Sequence, residues 1–167
     1  AAQAQEVCER ARQGEVLVCA NFNAPGQIVI SGSLGACERS LEIAKEMGLR
    51  ATQLAVAGAF HSPIMQPAAD QLAKALATTT ILPPRIPVLS NVTGTPHQPE
   101  GDTIEASIGQ RLTEQLTSPV RWENCCRWLI DHAAQMPDTV GSIVWAELSP
   151  GKTISGLMRR IDRATKV

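Results

Sequence analysis

Tyrosine is absent from the 167 residues, and the other aromatics are few: Phe22, Phe60, Trp122, Trp128 and Trp145. The core must therefore be built mainly from Ala, Val, Leu and Ile, a composition common where helices close-pack on a sheet. Long apolar runs are missing too. None approaches the ~20 residues that span a bilayer, and no charged-then-apolar leader opens the chain, so no membrane partner is expected. Fifteen Lys and Arg against 16 Asp and Glu leave a net charge of −1. The cations form no basic stripe interleaved with aromatics, which sets nucleic acid aside. Cys8, Cys19, Cys37, Cys125 and Cys126 are odd in number and irregularly spaced, which argues against a disulfide framework. No C-x-x-C or H-x-x-x-H spacing occurs, so a structural zinc is not expected. A reducing, cytoplasmic setting fits this cysteine usage. An initiating methionine is also lacking, and the chain reads as processed or as a piece of something longer.

What is present is an alternation of helical and extended patterns. Ala4, Val7, Cys8 and Ala11 recur at helical spacing before Gly14. Val16–Cys19 and Gln27–Ser31 read as strands around a turn-rich loop, Asn21–Gly26. Ser33 stands as a cap for a helix through Leu34, Cys37, Leu41 and Ala44. A third strand is expected over Leu49–Val56. This order matches a split β-α-β, ferredoxin-like unit without its first strand. Ser62-Pro63 then starts a helix sharply, with a proline at the first helical position. Further strands are expected at Val88–Val92 and Ser142–Leu148, with helices between: one opened by Asp102 and Glu105, one over 122–134, and a last one carrying Ile154, Leu157, Met158 and Ile161. Such alternation suits a parallel α/β layer, but two strands do not make one, since parallel sheets are covered on both faces. The missing strands must come from elsewhere. The division expected is 1–57 for the small unit and 58–167 for the α/β part.

Among candidate chemical groups, His61 stands out between an apolar segment and a helix start. The partial positive charge of a helix N-terminus disfavours imidazolium, and a general base must be neutral. His97 falls in a turn expected to be solvated, and His132 adjoins Asp131 on a helix, where neighbours do not face each other. Two motif-like runs fail. Ser31-Gly32-Ser33-Leu34-Gly35 lacks the first glycine of a nucleophile elbow. Gly151-Lys152-Thr153 lacks the glycine a P-loop needs five residues earlier, where Ala146 stands.

Five blocks, in order, resemble one family. They are Asn21-Phe22-Asn23-Ala24-Pro25-Gly26-Gln27-Ile28-Val29-Ile30-Ser31-Gly32, Val56-Ala57-Gly58-Ala59-Phe60-His61-Ser62-Pro63-Ile64-Met65, Ile86-Pro87-Val88-Leu89-Ser90-Asn91-Val92-Thr93, Gln115-Leu116-Thr117-Ser118-Pro119-Val120-Arg121-Trp122 and Glu147-Leu148-Ser149-Pro150-Gly151-Lys152, the last with Ser149 where the family has glycine. The chain thus resembles the malonyl-CoA:acyl-carrier-protein transacylases and the related acyltransferase domains of fatty-acid and polyketide synthases.

The resemblance implies an α/β fold: an incomplete ferredoxin-like small subdomain plus the C-terminal part of an α/β-hydrolase-like large one. It implies malonyl-CoA as substrate, acyl carrier protein as partner, no bound cofactor, and a serine–histidine ping-pong reaction in fatty-acid synthesis. His61 maps onto the base. Gln115 and Asn91 fall at positions that line or support the site, and Asn23 at the subdomain junction. Phe60, just before the histidine, goes with malonyl over methylmalonyl. The family's Gly-His-Ser nucleophile motif, its carboxylate-binding arginine and its oxyanion-hole glutamine motif do not occur in this sequence, so the chain alone is expected to be inactive. A discrete enzyme, monomeric at full length, is the expectation, favoured over a domain of a multidomain synthase because no long linker follows the last helix. A non-catalytic carrier-binding module, with Arg10, Arg12 and Arg50 as contacts, is the other possibility.

Overall fold

The computed structural model describes residues 1–99, 103–135, 144–148 and 150–167. Helix α1, Ala2–Arg12, buries Val7, Cys8 and Ala11 on one face. It stops at Gln13 and Gly14, both in the left-handed region at φ +44° and +87°, where glycine carries no steric penalty. Strands β1, Leu17–Ala24, and β2, Gln27–Gly32, form an antiparallel hairpin around Pro25-Gly26. Gly26 sits at φ +73°, which a proline–glycine turn requires of its second residue. At the other end of the hairpin, a Cβ on Gly32 would lie 2.0 Å from the carbonyl oxygen of Val16. Only glycine closes this pair. Helix α2, Leu34–Glu46, then packs beside α1.

The second part is helical. A 3-10 turn, Pro63–Met65, leads into α3, Gln66–Leu76. Helices α4, Ile104–Glu114, α5, Trp122–His132, and α6, Thr153–Ile161, follow. No helix among the described residues is long and apolar enough to cross a membrane. Two apolar clusters share β1. Leu17 packs with Cys8, Ala11 and Ala36 between the hairpin and α1/α2. Ala24 packs with Cys126, Leu157, Met158 and Ile161 from α5 and α6. Ala24, fully buried on β1, leaves room for α5 and α6 to pack close.

Several expectations need correction. Asn21–Ala24 is strand, not loop. Asn21 forms a parallel bridge to Val120 while pairing Val29, and two-sided pairing overrides turn propensity. Residues 49–56 form no strand, and Leu54 and Val56 are exposed. The expected strand at 88–92 is reduced to one antiparallel bridge, Leu89 to Pro96, closing a turn with Gly94 at φ +77°. Of the expected strand at 142–148, residues 142 and 143 lie outside the described residues and 144–148 join no ladder. A strand's backbone groups need ladder partners: among the described residues 49–56 and 144–148 join no ladder, and the groups of 88–92 bond within their own turn and to Arg121 instead. Asp102 also lies outside the described residues; the cap of α4 is Thr103, whose hydroxyl accepts from the Ala106 amide at 3.3 Å. Ser33 holds the cap position of α2 without a side-chain capping bond.

Candidate active site

His61 sits on a turn that its neighbours hold tightly. The Ser62 hydroxyl is fully buried; it donates to the Ala59 carbonyl at 2.6 Å and accepts from the Ile64 amide at 3.3 Å. One serine thereby ties the residues before the histidine to the helix start after it. Within this clamp His61 adopts φ +60°, a left-handed conformation uncommon for a residue with a Cβ and often found at functional positions. Its amide donates to the Leu116 carbonyl at 3.1 Å.

The ring is aimed by the same segment. His61 Nδ1 lies 2.9 Å from the Gln115 carbonyl oxygen. A carbonyl can only accept, so Nδ1 carries the proton and Nε2 keeps its lone pair. The Gln115 side-chain amide stands 3.3 Å from the same Nδ1. It is the amide nitrogen Nε2 that faces the ring; with Nδ1 protonated both atoms are donors, so this is a contact and not a hydrogen bond. The residue as a whole is half-buried.

Residues 115–121 are the hub of the site. Besides holding His61, they bond to β1: the Phe22 amide donates to the Val120 carbonyl and the Val120 amide to the Ala20 carbonyl, both at 2.8 Å. They also bond to the 88–97 turn: the Arg121 amide donates to the Asn91 carbonyl at 3.0 Å, and Arg121 Nε to the Val92 carbonyl at 2.9 Å. Gln115 therefore meets His61 directly, and Asn91 reaches the hub through its main chain. Asn23 lies two residues along β1 from the Asn21–Val120 bridge. Phe60 is 47 % exposed, its ring against Gly58.

Two features escaped sequence reasoning. The Ser62 hydroxyl serves as a turn clamp as well as a cap, which no motif signals. Glu147 accepts from the Ile154 and Ser155 amides at 2.9 and 3.0 Å, so its carboxylate caps α6; only its place in the fifth block hinted at a role. One other expectation changes. His97 is half-buried rather than solvated; its Nδ1 is enclosed without a partner, and burial together with the Arg111 charge holds its pKa below the usual value. Arg10 is paired with Glu46 at 2.8 Å. His132 stacks on Trp128 at 4.3 Å and bonds the Trp128 carbonyl, not Asp131. The cysteines are free thiols. Cys19 is lowered to about 7 by a hydrogen bond from Cys8, while burial pushes Cys126 up to about 11.

Residues 1–144 match the acyl transferase domain family. The chain belongs to that family. A malonyl CoA-acyl carrier protein transacylase of Haemophilus influenzae is 41% identical over 155 residues, covering 92% of this chain and 46% of the relative. The crystal structure of the malonyl-CoA:acyl carrier protein transacylase of Xanthomonas oryzae superposes with a TM-score of 0.85 at 42% identity, over 99% of this chain and 49% of that one. A malonyl-transacylase solved in complex with a type II polyketide synthase acyl-carrier protein aligns with a TM-score of 0.83 at 34% identity, over 98% of this chain and 49% of that one. These acyl transferase relatives establish an α/β fold. The chain spans about half the length of the relatives it matches.

Proposed function

We propose that this chain supplies the base-bearing half of a transacylase that moves a malonyl group from coenzyme A to acyl carrier protein. One observation carries the proposal: the Gln115 carbonyl stands 2.9 Å from His61 Nδ1, which selects the neutral tautomer that has its lone pair on Nε2. The nucleophilic serine comes from polypeptide outside these 167 residues, which hold no Gly-His-Ser run. In the first half-reaction His61 Nε2 takes the serine proton as the oxygen attacks the malonyl thioester. The tetrahedral intermediate expels the coenzyme A thiolate, which receives that proton from His61. The malonyl ester then meets the carrier-protein thiol; His61 takes the thiol proton, the sulfur attacks, and the serine leaves and is reprotonated. Throughout, the Gln115 carbonyl stabilises the transient imidazolium from the far side of the ring.

The supporting assignments follow the same frame. The small unit, 1–57, is the incomplete ferredoxin-like subdomain, and 58–167 belongs to the α/β-hydrolase-like one. Asn91 and Asn23 support the hub, and the Phe60 ring narrows the acyl pocket toward malonyl over methylmalonyl, a discrimination of about 1–3 kcal/mol for one methyl. The enzyme works without a bound cofactor, as a cytoplasmic monomer at full length.

The test uses malonyl-CoA labelled in the malonyl group. The chain alone is expected to take up no hydroxylamine-labile label. Fused behind the unmatched half of the Haemophilus influenzae relative, it is expected to label and to pass the group to acyl carrier protein, with His61→Ala lowering the rate at least ~1,000-fold. Stoichiometric labelling of the chain alone, or a fully active His61→Ala fusion, would refute the proposal.

A further inference from the structure

Three of the five cysteines, scattered in the sequence, meet in the fold. Cys8 of α1 is buried with Ala11, Leu17 and Ala36, and Cys19 of β1 and Cys37 of α2 pack against that same cluster. All are free thiols. The turn at Gln13-Gly14 folds α1 back over β1, and the Cys8 thiol donates a hydrogen bond to the Cys19 sulfur. The partners are unequal. Cys8 is buried, while Cys19 is only half-buried and keeps some contact with solvent. The bond from Cys8 holds the Cys19 pKa low against the opposing effect of burial, and the same bond together with burial holds Cys8 high. The thiolate is the reactive form of a cysteine. Cys19 is therefore the nucleophile of the pair, and Cys8 is a protonated thiol in contact with it. The other cysteines lack this combination. Burial pushes Cys37, Cys125 and Cys126 up, and Cys125 and Cys126, adjacent on α5, point about 100° apart. A low-pKa, partly accessible cysteine beside a second thiol is the arrangement that peroxides oxidise selectively.

We propose that Cys19 and Cys8 form a peroxide-reactive modification site, in which Cys19 is oxidised by a hydroperoxide and Cys8 resolves the product to a disulfide that ties α1 to β1. In the first step the Cys19 thiolate attacks one peroxide oxygen. The S–O bond forms, the O–O bond breaks, and hydroxide leaves; for hydrogen peroxide it becomes water with one proton from solvent. Cys19 is now a sulfenic acid, oxidised by the two electrons that reduce the peroxide. In the second step Cys8 gives up its proton and its sulfur attacks the Cys19 sulfur. The S–S bond forms, the S–O bond breaks, and the departing hydroxide takes the Cys8 proton as water. A dithiol reductant reverses the change. The inference stands apart from the malonyl transfer proposed above, which uses neither sulfur.

The experiment treats the reduced chain with equimolar hydrogen peroxide, blocks the remaining thiols with N-ethylmaleimide, and maps the unreduced digest by mass spectrometry. A Cys8–Cys19 linked peptide is expected as the main disulfide, formed within one chain and lost on dithiothreitol treatment, with Cys125 and Cys126 recovered as maleimide adducts. With dimedone present during oxidation, the sulfenic acid is expected to be trapped at Cys19. Cys8→Ser removes the resolving thiol and is expected to raise dimedone labelling of Cys19 at least about five-fold. Cys37→Ser is expected to leave the Cys8–Cys19 link unchanged. Circular dichroism checks that each variant is folded; if Cys8→Ser is not, the digest of the unaltered chain decides by itself. Cys8 and Cys19 both recovered as maleimide adducts, a main disulfide that involves Cys37, Cys125 or Cys126, a link between two chains, or dimedone on a cysteine other than Cys19 would overturn the proposal.

Discussion

His61 is aimed by main-chain carbonyls, so the side chains around it matter less than their positions. Gln115→Ala keeps the carbonyl that accepts from Nδ1 and removes only the second contact. Nitrogen NMR of the His61 ring in this variant is expected to show the same tautomer, protonated at Nδ1. A switch to Nε2–H would mean that the Gln115 side chain, not its backbone, sets the proton. His97 offers a second test. Its pKa is held below the ordinary 6.5 by burial, then by the Arg111 charge. The folded state thus binds fewer protons than the unfolded state as pH falls below about 6.5. Stability from this group is fully present above that value and is lost as pH falls through the lowered folded pKa. Urea titrations are expected to show stability falling with pH in this window, and His97→Gln to flatten that slope. Glu114, also held low, would act only at more acidic pH.

At the scale of elements, ends decide more than interiors. Helix α6 has nine residues, too few to persist alone in water. Its first turn is held by the Glu147 carboxylate through the Ile154 and Ser155 amides. Glu147→Ala is expected to cost about 1–2 kcal/mol and to speed amide exchange in Thr153–Ile161; Glu147→Asp, too short to reach both amides, should restore little. The elements most legible in the sequence were those with local causes. Helices α1, α2 and α5 follow from apolar spacing, and the start at Ser62-Pro63 follows from a hydroxyl before a proline. The hairpin was half legible: its strands were visible, but Asn21–Ala24 looked like a loop because asparagine favours turns, and only the Val120 bridge makes it strand.

The whole molecule exposes more apolar surface than its composition suggests, with Leu54, Val56, Leu82, Ile86, Val144 and Leu148 among the exposed residues. The isolated chain is expected to bind a hydrophobic dye and to self-associate above micromolar concentration, and Ile86→Lys to reduce both, as read by dye fluorescence and light scattering. Monodisperse, dye-negative behaviour would show that these faces are covered in some other way. The sequence by itself determined the family and most of the helices and singled out His61 as the candidate base, because each rests on local pattern or on a block of consecutive residues. Only the tertiary structure decided which atom of that histidine is left free, that residues 115–121 tie it to both β1 and the 88–97 turn, that 49–56 forms no strand, that the strand expected at 88–92 shrinks to the Leu89–Pro96 bridge, and that 144–148, the described part of the strand expected at 142–148, joins no ladder. The reason is that hydrogen bonds between segments far apart in the chain choose the tautomer and make a strand, and no local window of sequence contains both partners.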